Sequence, residues 1–412
     1  MISQLRNIVL LSIAISCIAC RYSYIPKTHN FPDPSDTYSK EIQYQEKKTY
    51  HVSDVYASND FDGARLNDFT QINTNTYRAT IRPENAPINE SSYFCFDLWS
   101  ETEKDIELQL YYPDHVHRYV PKLSVDAINW TVMDSTEFDT LMGPDLAQLS
   151  LRIGPEKKYV CAQELSNSSH NLDWCEKISS QQANIRMSTI GTSTLNRPIL
   201  CLDLYQNSPE NKPTIVIMSR LHPPEVSGYM AMQSYVETLL EKTPLSQTFL
   251  EKYRILIYPM VNPDGVDLGH WRHNAGGIDL NRDWSHYRQK EIKVLTNHIV
   301  KTVRQNNNEV LLGLDFHSTQ EDVLYTMTDN RPSTIHGFKD IWVQGIKDAL
   351  PGHDPDDAPF DLNSPISKWW FYLEFGGEGI TYEVGDETDR KFARNKARVA
   401  AIEMMKLLVL RK

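Results

Sequence analysis

The hydrophobic period of this 412-residue chain changes near residue 180, and that change limits the fold more than any other feature. From about 49 to 178 apolar and polar residues alternate in short runs separated by turn residues. Examples are Ser92–Trp99, Ile106–Tyr112 and Ala147–Ile153. Period-two alternation buries one face of each strand, which predicts an antiparallel β-sandwich. Beyond 180, continuous β-branched runs alternate with helical patterns. Thr214–Met218, Tyr253–Tyr258, Val310–Phe316 and Gly379–Val384 read as fully buried strands, and Gly228–Leu240, Lys290–Arg304 and Asp389–Leu410 as helices. That grammar predicts an α/β domain over 179–412, with a mixed, mostly parallel sheet flanked by helices. Two cores also suit a chain of this length.

The first twenty residues read as a targeting signal, with Arg6 ahead of the apolar run Ile8–Ile15, which is too short to span a bilayer. Cys17-Ile-Ala-Cys20 resembles the lipobox of bacterial lipoproteins, although cysteine stands where leucine is usual. The expectation is an exported protein, periplasmic or outer-membrane-anchored through a lipid on Cys20, or simply secreted after signal cleavage. Residues 21–48, polar and without apolar periodicity, read as a flexible linker. The net charge of -12 is spread along the chain with no dense basic cluster, so no nucleic-acid partner is expected, and membrane contact only through the anchor. Of the four remaining cysteines, Cys161 and Cys175 could close a short disulfide loop; four packed thiols is the other reading.

The second domain carries a series of chemically capable residues. His222-Pro-Pro-Glu225 follows a strand, with two prolines stiffening the chain between an imidazole and a carboxylate. His317 follows another strand and offers a third metal donor. Glu383, Trp271-Arg272 and Asn281-Arg282 add a further carboxylate and two guanidinium groups. Strand ends of open α/β sheets are where ligand sites form. Alone, an HxxE spacing is common by chance; the ordered set is not.

From about 185 to 412 the sequence resembles the zinc carboxypeptidase family, and its cytosolic branch more than its digestive one. The residues that carry the resemblance are Ser188-Thr-Ile-Gly191, Arg197-Pro-Ile199, His222-Pro-Pro-Glu225, Asn262-Pro-Asp-Gly265, Trp271-Arg272, Asp279-Leu-Asn-Arg-Asp-Trp284, Asp315-Phe-His317 and Thr381-Tyr-Glu383. A β-sandwich ahead of the catalytic domain is also a feature of that branch, and Phe61–Leu66 and Ser92–Phe96 resemble its first strands.

The resemblance implies one Zn2+ held by His222, Glu225 and His317, with Glu383 as general base and Arg272 stabilising the oxyanion. It implies that Asn281 and Arg282 hold the free C-terminal carboxylate of a peptide substrate, and that Asp279 accepts the second ring N–H of His222. Counting back from Glu383 by the family's spacing to its mobile tyrosine lands on Asp361, which leaves Tyr372 as the candidate; aromatic packing is its alternative reading. Lys368 lies where relatives form their specificity pocket and would favour an acidic terminal side chain, unless its stem covers Trp369 with the ammonium in solvent. The function expected is that of a zinc metallocarboxypeptidase acting on peptides or cell-wall stem peptides. The alternatives are an N-acyl amino acid deacylase of the same fold and a non-catalytic surface-binding lipoprotein.

Overall fold

The computed structural model describes residues 24–140 and 143–411. The signal segment, with Cys17 and Cys20, lies outside the described residues.

Two sheets pack face to face over the first part of the chain. Among the described residues one has the order Thr49–Val52, Val55–Ser58, Cys95–Ser100, Lys158–Cys161, Lys122–Ser124, Thr131–Val132. The other runs Asp68–Gln71, Thr76–Thr80, Lys104–Tyr111, Leu146–Ile153, Phe138–Asp139. All but one of these pairings are antiparallel; Thr76–Thr80 lies parallel to Lys104–Tyr111. The alternation seen in the sequence puts Ile106, Leu108 and Leu110 inside, facing Phe94, Phe96 and Leu98 of the opposite sheet. Burying each such side chain contributes ~1.5–3 kcal/mol.

Neither cysteine expectation holds. Cys95 and Cys161 are directly opposed on neighbouring antiparallel strands and form a disulfide, while Cys175 and Cys201 are buried free thiols. Strand register decides this pairing, and register is not written in cysteine spacing.

The sheet of the second domain has the order Ile185–Thr192, Pro198–Leu204, Arg254–Tyr258, Thr214–Ser219, Val310–Thr319, Glu378–Gly385, Val323–Tyr325, Asp356–Asp357. Its central neighbours are parallel: Thr214–Ser219 pairs with both Arg254–Tyr258 and Val310–Thr319, and the latter with Glu378–Gly385. Every residue of Thr214–Ser219 and Arg254–Tyr258 is buried, as expected of strands covered on both faces. The expected helices are present as Val226–Leu239, Lys290–Gln305 and Arg390–Leu410. Helices Phe338–Ala349 and Ser367–Phe375 were not read from the sequence.

Two organisational expectations change. Helix Ser168–Gln181, capped by Asn167, buries Trp174, Cys175 and Ile178 in the second core, so that core begins ahead of residue 179. The segment from 24 to 48 is an ordered strap rather than a loose tether. Phe31 is buried with Met327, Ile366 and Trp369, Thr37 donates to Asp283 Oδ1 (2.7 Å), and Asp33 N–H bonds to the carbonyl of Asn363 (2.8 Å). The strap has too few apolar residues for periodicity, and its order comes from partners on the second domain.

Helix Val226–Leu239 starts hard against the strand that carries His317. A Cβ on Gly228 would overlap the carbonyl of His317, so only glycine permits this approach. Gly228→Ala should therefore destabilise the protein by ~1–3 kcal/mol, read by chemical denaturation, and lower any metal held by His317, read by metal analysis. Wild-type stability and metal content would show that the approach is not needed.

Candidate active site

After Ser219 the chain turns at Arg220, whose φ of 55° is left-handed. Its buried guanidinium donates to the carbonyls of Pro223 (2.7 Å) and Ser166 (3.0 Å), which ties down the loop carrying His222 and Glu225. His317 lies within strand Val310–Thr319, directly beside Glu383 of the parallel strand Glu378–Gly385.

These elements bring three donors to one point. Glu225 Oε1 lies 2.8 Å from His222 Nδ1, Glu225 Oε2 lies 2.7 Å from His317 Nδ1, and the two Nδ1 atoms are 3.2 Å apart. All three residues are buried, with their donor atoms within 4.8 Å of one another. Two imidazole lone pairs cannot face each other at that distance without a proton or cation between them. A buried set of two histidines and one carboxylate is the donor chemistry of a catalytic zinc site, so the residues fit that ion.

Each imidazole also has a carboxylate behind it. His222 Nε2 bonds to Asp279 Oδ1 (2.9 Å), and His317 Nε2 lies 2.9 Å from Asp315 Oδ2. Burial opposes the charged forms here, but the neighbours outweigh it. His222 and His317 hold Glu225 well below the usual carboxylate range, and Arg272 and His222 do the same for Asp279. Asp315 and Glu225 raise His317 well above the usual imidazole value.

Glu383 Oε2 has no hydrogen-bond partner among the described residues, and burial, with Glu225 and Asp315 adding to it, pushes the carboxyl up to about 8. Arg390 is engaged elsewhere, its Nε donating to Glu164 Oε1 (2.8 Å). Arg272 Nε donates to Asp279 Oδ2 (2.8 Å), and Asn281 N–H to Asp279 Oδ1 (2.8 Å). Asn281 Oδ1 accepts from Ser367 N–H (2.9 Å), which leaves its NH2 as the end a ligand can use. Arg282 is partly exposed and bonds to the carbonyl of Asn281 (2.8 Å). The three donors, Arg272, Asn281, Arg282 and Glu383 all line one polar cleft with an empty volume of about 940 Å³.

The sequence profile of the zinc carboxypeptidase family matches residues 172–392, just over half of the chain. The chain belongs to the zinc carboxypeptidase family. Over 108 residues it is 32% identical to cytosolic carboxypeptidase 2 of Homo sapiens, a stretch covering 26% of this chain and 12% of that protein. Over 74 residues it is 40% identical to cytosolic carboxypeptidase 1 of Gallus gallus, covering 18% and 6%. The chain thus spans only a small part of the curated relatives it matches. Among solved structures, a metallo-carboxypeptidase from Burkholderia cenocepacia superposes with a TM-score of 0.70 at 16% identity, covering 87% of this chain and 99% of that one. One from Pseudomonas aeruginosa, in complex with (2-guanidinoethylmercapto)succinic acid, gives 0.68 at 17% identity, covering 86% and 100%. At these identities the likeness is one of fold. The family is zinc-dependent, and among the described residues His222, Glu225 and His317 form its metal-competent group.

Two substrate-side expectations are corrected. Lys368 is fully buried outside the cleft: its ammonium donates to the carbonyl of Thr326 (2.6 Å) and lies 3.2 Å from the ring centre of Phe360, whose ring lines the cleft. Burial lowers its pKa to about 7. Tyr372 packs edge-on to Trp369 in the apolar cluster beneath the strap. Four residues apart, Lys368 and Tyr372 share a helix face directed away from the cleft.

Several residues in and behind the cleft went unread in the sequence. Asp315, two residues from His317, shares its strand face, a period-two signal that was present but given no role. Tyr325 lines the cleft from the short strand next to the sheet edge, its phenol pKa raised by burial and by Glu383. Asn89, Ser91 and Arg118 reach the cleft from the sandwich, and Arg118 is anchored to Asp386 Oδ2 (2.7 Å). No local spacing marks these last four.

Two outcomes follow. Asp279→Asn should weaken zinc binding ~10- to 100-fold in a chelator competition, because His222 loses the acceptor that orients it; unchanged affinity would mean that the ring is oriented by packing alone. Lys368→Met should leave preference among C-terminal Glu, Lys and Phe peptides unchanged. Native Lys368 sheds its proton near pH 7, the unfolded chain only near its ordinary value of 10.5, so in between the unfolded state binds more protons. Wild-type stability relative to Lys368→Met should therefore rise from pH 7 toward 9.5, by up to about 1.4 kcal/mol per pH unit. A flat difference in denaturation titrations would contradict the lowered pKa.

Proposed function

We propose that the protein is an exported zinc metallocarboxypeptidase that releases the C-terminal residue of peptides or cell-wall stem peptides. The observation that carries this reading is that Asn281 and Arg282 share one cleft with the three metal donors and Glu383. An endopeptidase must admit chain on both sides of the bond and has no use for a carboxylate clamp beside its metal.

Arg282 and the NH2 of Asn281 bind the substrate's terminal carboxylate and so place the last peptide bond over the donors. His222, Glu225 and His317 would hold zinc, which when bound would supply a Lewis acid for the scissile carbonyl and lower the pKa of a nearby water. Glu383 takes a proton from the attacking water and returns it to the leaving amine. A carboxyl with one oxygen unpartnered and its pKa raised to about 8, so that both its forms are populated near neutral pH, suits a group that both accepts and gives a proton. Arg272 faces the charge that develops on the carbonyl oxygen, and its bond to Asp279 keeps the guanidinium in place before that charge appears. Export rests on the signal-like residues 1–20, with lipidation of Cys20 as its anchored form; the Cys95–Cys161 disulfide suits an oxidising compartment.

The test is a panel of blocked peptides, each with a free or an amidated C-terminus, with Glu383→Gln alongside the wild type. Free-carboxylate peptides should be cleaved and amides spared, and Glu383→Gln should lower kcat ~10²- to 10⁴-fold with zinc retained. Equal cleavage of the amides would refute the exopeptidase. Turnover of N-acyl amino acids with every peptide left intact would assign the protein as a deacylase.

A further inference from the structure

We propose that Glu84, a carboxylate of the β-sandwich, is a positioning residue for Arg272, which makes the sandwich part of the catalytic centre. This deepens the reading above and rests on Arg272 stabilising the oxyanion.

Glu84 is fully buried and follows the sandwich strand Thr76–Thr80. Its Oε2 accepts from the N–H of Trp271 (2.8 Å), and its Oε1 accepts from the N–H of Arg272 (3.0 Å) and of His273 (2.7 Å). Three successive amides of the second domain thus converge on one carboxylate of the first, an anion-binding concavity made by backbone alone. Burial would raise Glu84, but His270, His273, Arg65 and these amides bring it down to about 2, so it remains an anion at working pH.

The same loop is gripped on both sides of Arg272. The Trp271 indole is buried in the sandwich core and donates to the carbonyl of Tyr93 (3.0 Å). Asn85 binds His273 Nδ1 (2.6 Å) and the carbonyl of Gly277 (3.0 Å). Gly269, at a φ of 64°, lies where a Cβ would strike the carbonyl of Ala64. From this clamped backbone Arg272 alone turns back to Asp279 and the cleft. Packing could join the domains without a buried charge, which is expensive to desolvate. What the carboxylate adds is direction: it fixes the peptide planes on either side of the Arg272 Cα and hence the line along which the guanidinium leaves the chain. A displacement of about 1 Å at such a group costs on the order of 10²-fold in rate.

The test is a double-mutant cycle on the full chain with zinc bound. Glu84→Gln keeps the shape but replaces one acceptor by an NH2 that confronts a backbone N–H. On the best peptide of the panel, kcat should fall about 10- to 100-fold with KM within about two-fold, and a phosphonate analogue of the tetrahedral state should bind correspondingly more weakly. In an Arg272→Ala background Glu84→Gln should lower kcat no further, because its effect runs through that side chain. Equal losses in both backgrounds, or a lowered Tm with kcat intact, would overturn the proposal. Should Glu84→Gln fail to fold, Glu84→Asp, which keeps the anion but draws it back from the loop, is read in the same cycle with the same criteria. A wild type active on peptides and matched by Glu84→Gln removes this inference alone, whereas a wild type inactive on every peptide removes the proposed function and this inference with it.

Discussion

Two imidazole nitrogens and a carboxylate facing one another at the buried floor of a polar cleft repel or attract according to what lies between them, and most of the surrounding structure exists to hold them in that relation. Glu225 lies within 2.8 Å of both rings. Left to relax, such a group would disperse into separate hydrogen bonds. The parallel pairing of Thr214–Ser219 with Val310–Thr319 sets the spacing of the two histidines, Arg220 locks the loop after the first strand, and Gly228 lets the helix close against the second. Asp279 bonds to the outer nitrogen of His222, Asp315 lies 2.9 Å from that of His317, and both rings turn Nδ1 inward.

Asp279 connects this group to the substrate side. One oxygen takes the outer nitrogen of His222 and the N–H of Asn281, and the other takes Arg272 Nε. His222, Asn281 and Arg272, to which the proposed function gives the metal, the terminal carboxylate and the oxyanion, therefore share one buried anion. Arg272 and His222 lower its pKa against the effect of burial, so the anion persists because the groups it orients are cations or donors. Groups that share one hydrogen-bonded anion are energetically coupled, so substitutions around Asp279 are not expected to be additive.

What was legible in the sequence follows from which forces act locally. The buried strands Thr214–Ser219 and Val310–Thr319 announced themselves as unbroken apolar runs, and the long helices by their period. The metal group was legible because its members sit on strands and stiff loops in a recognisable order. Lys368 and Tyr372 were misplaced because the helix Ser367–Phe375 is apolar nearly all round, so no moment in the sequence says which face meets the cleft. The Cys95–Cys161 pair and the strap depend on contacts between residues far apart in the chain, which leave no periodic trace.

Trp271-Arg272 shows the same limit in a motif that was recognised. Its two residues are adjacent in sequence but belong to different cores. The indole is buried with Phe94 and Leu110 of the sandwich, while the guanidinium turns to Asp279 in the cleft. A peptide unit shared between two cores transmits the position of one to the other, since about 3.8 Å separates successive Cα atoms and few torsions intervene. The sandwich therefore reaches the site twice: through Arg118, Ser91 and Asn89 on the cleft wall, and through Glu84 beneath the loop. Reading the α/β domain as the enzyme and the sandwich as an appendage would miss this, because the backbone that carries Arg272 into the cleft is held from behind by the other domain.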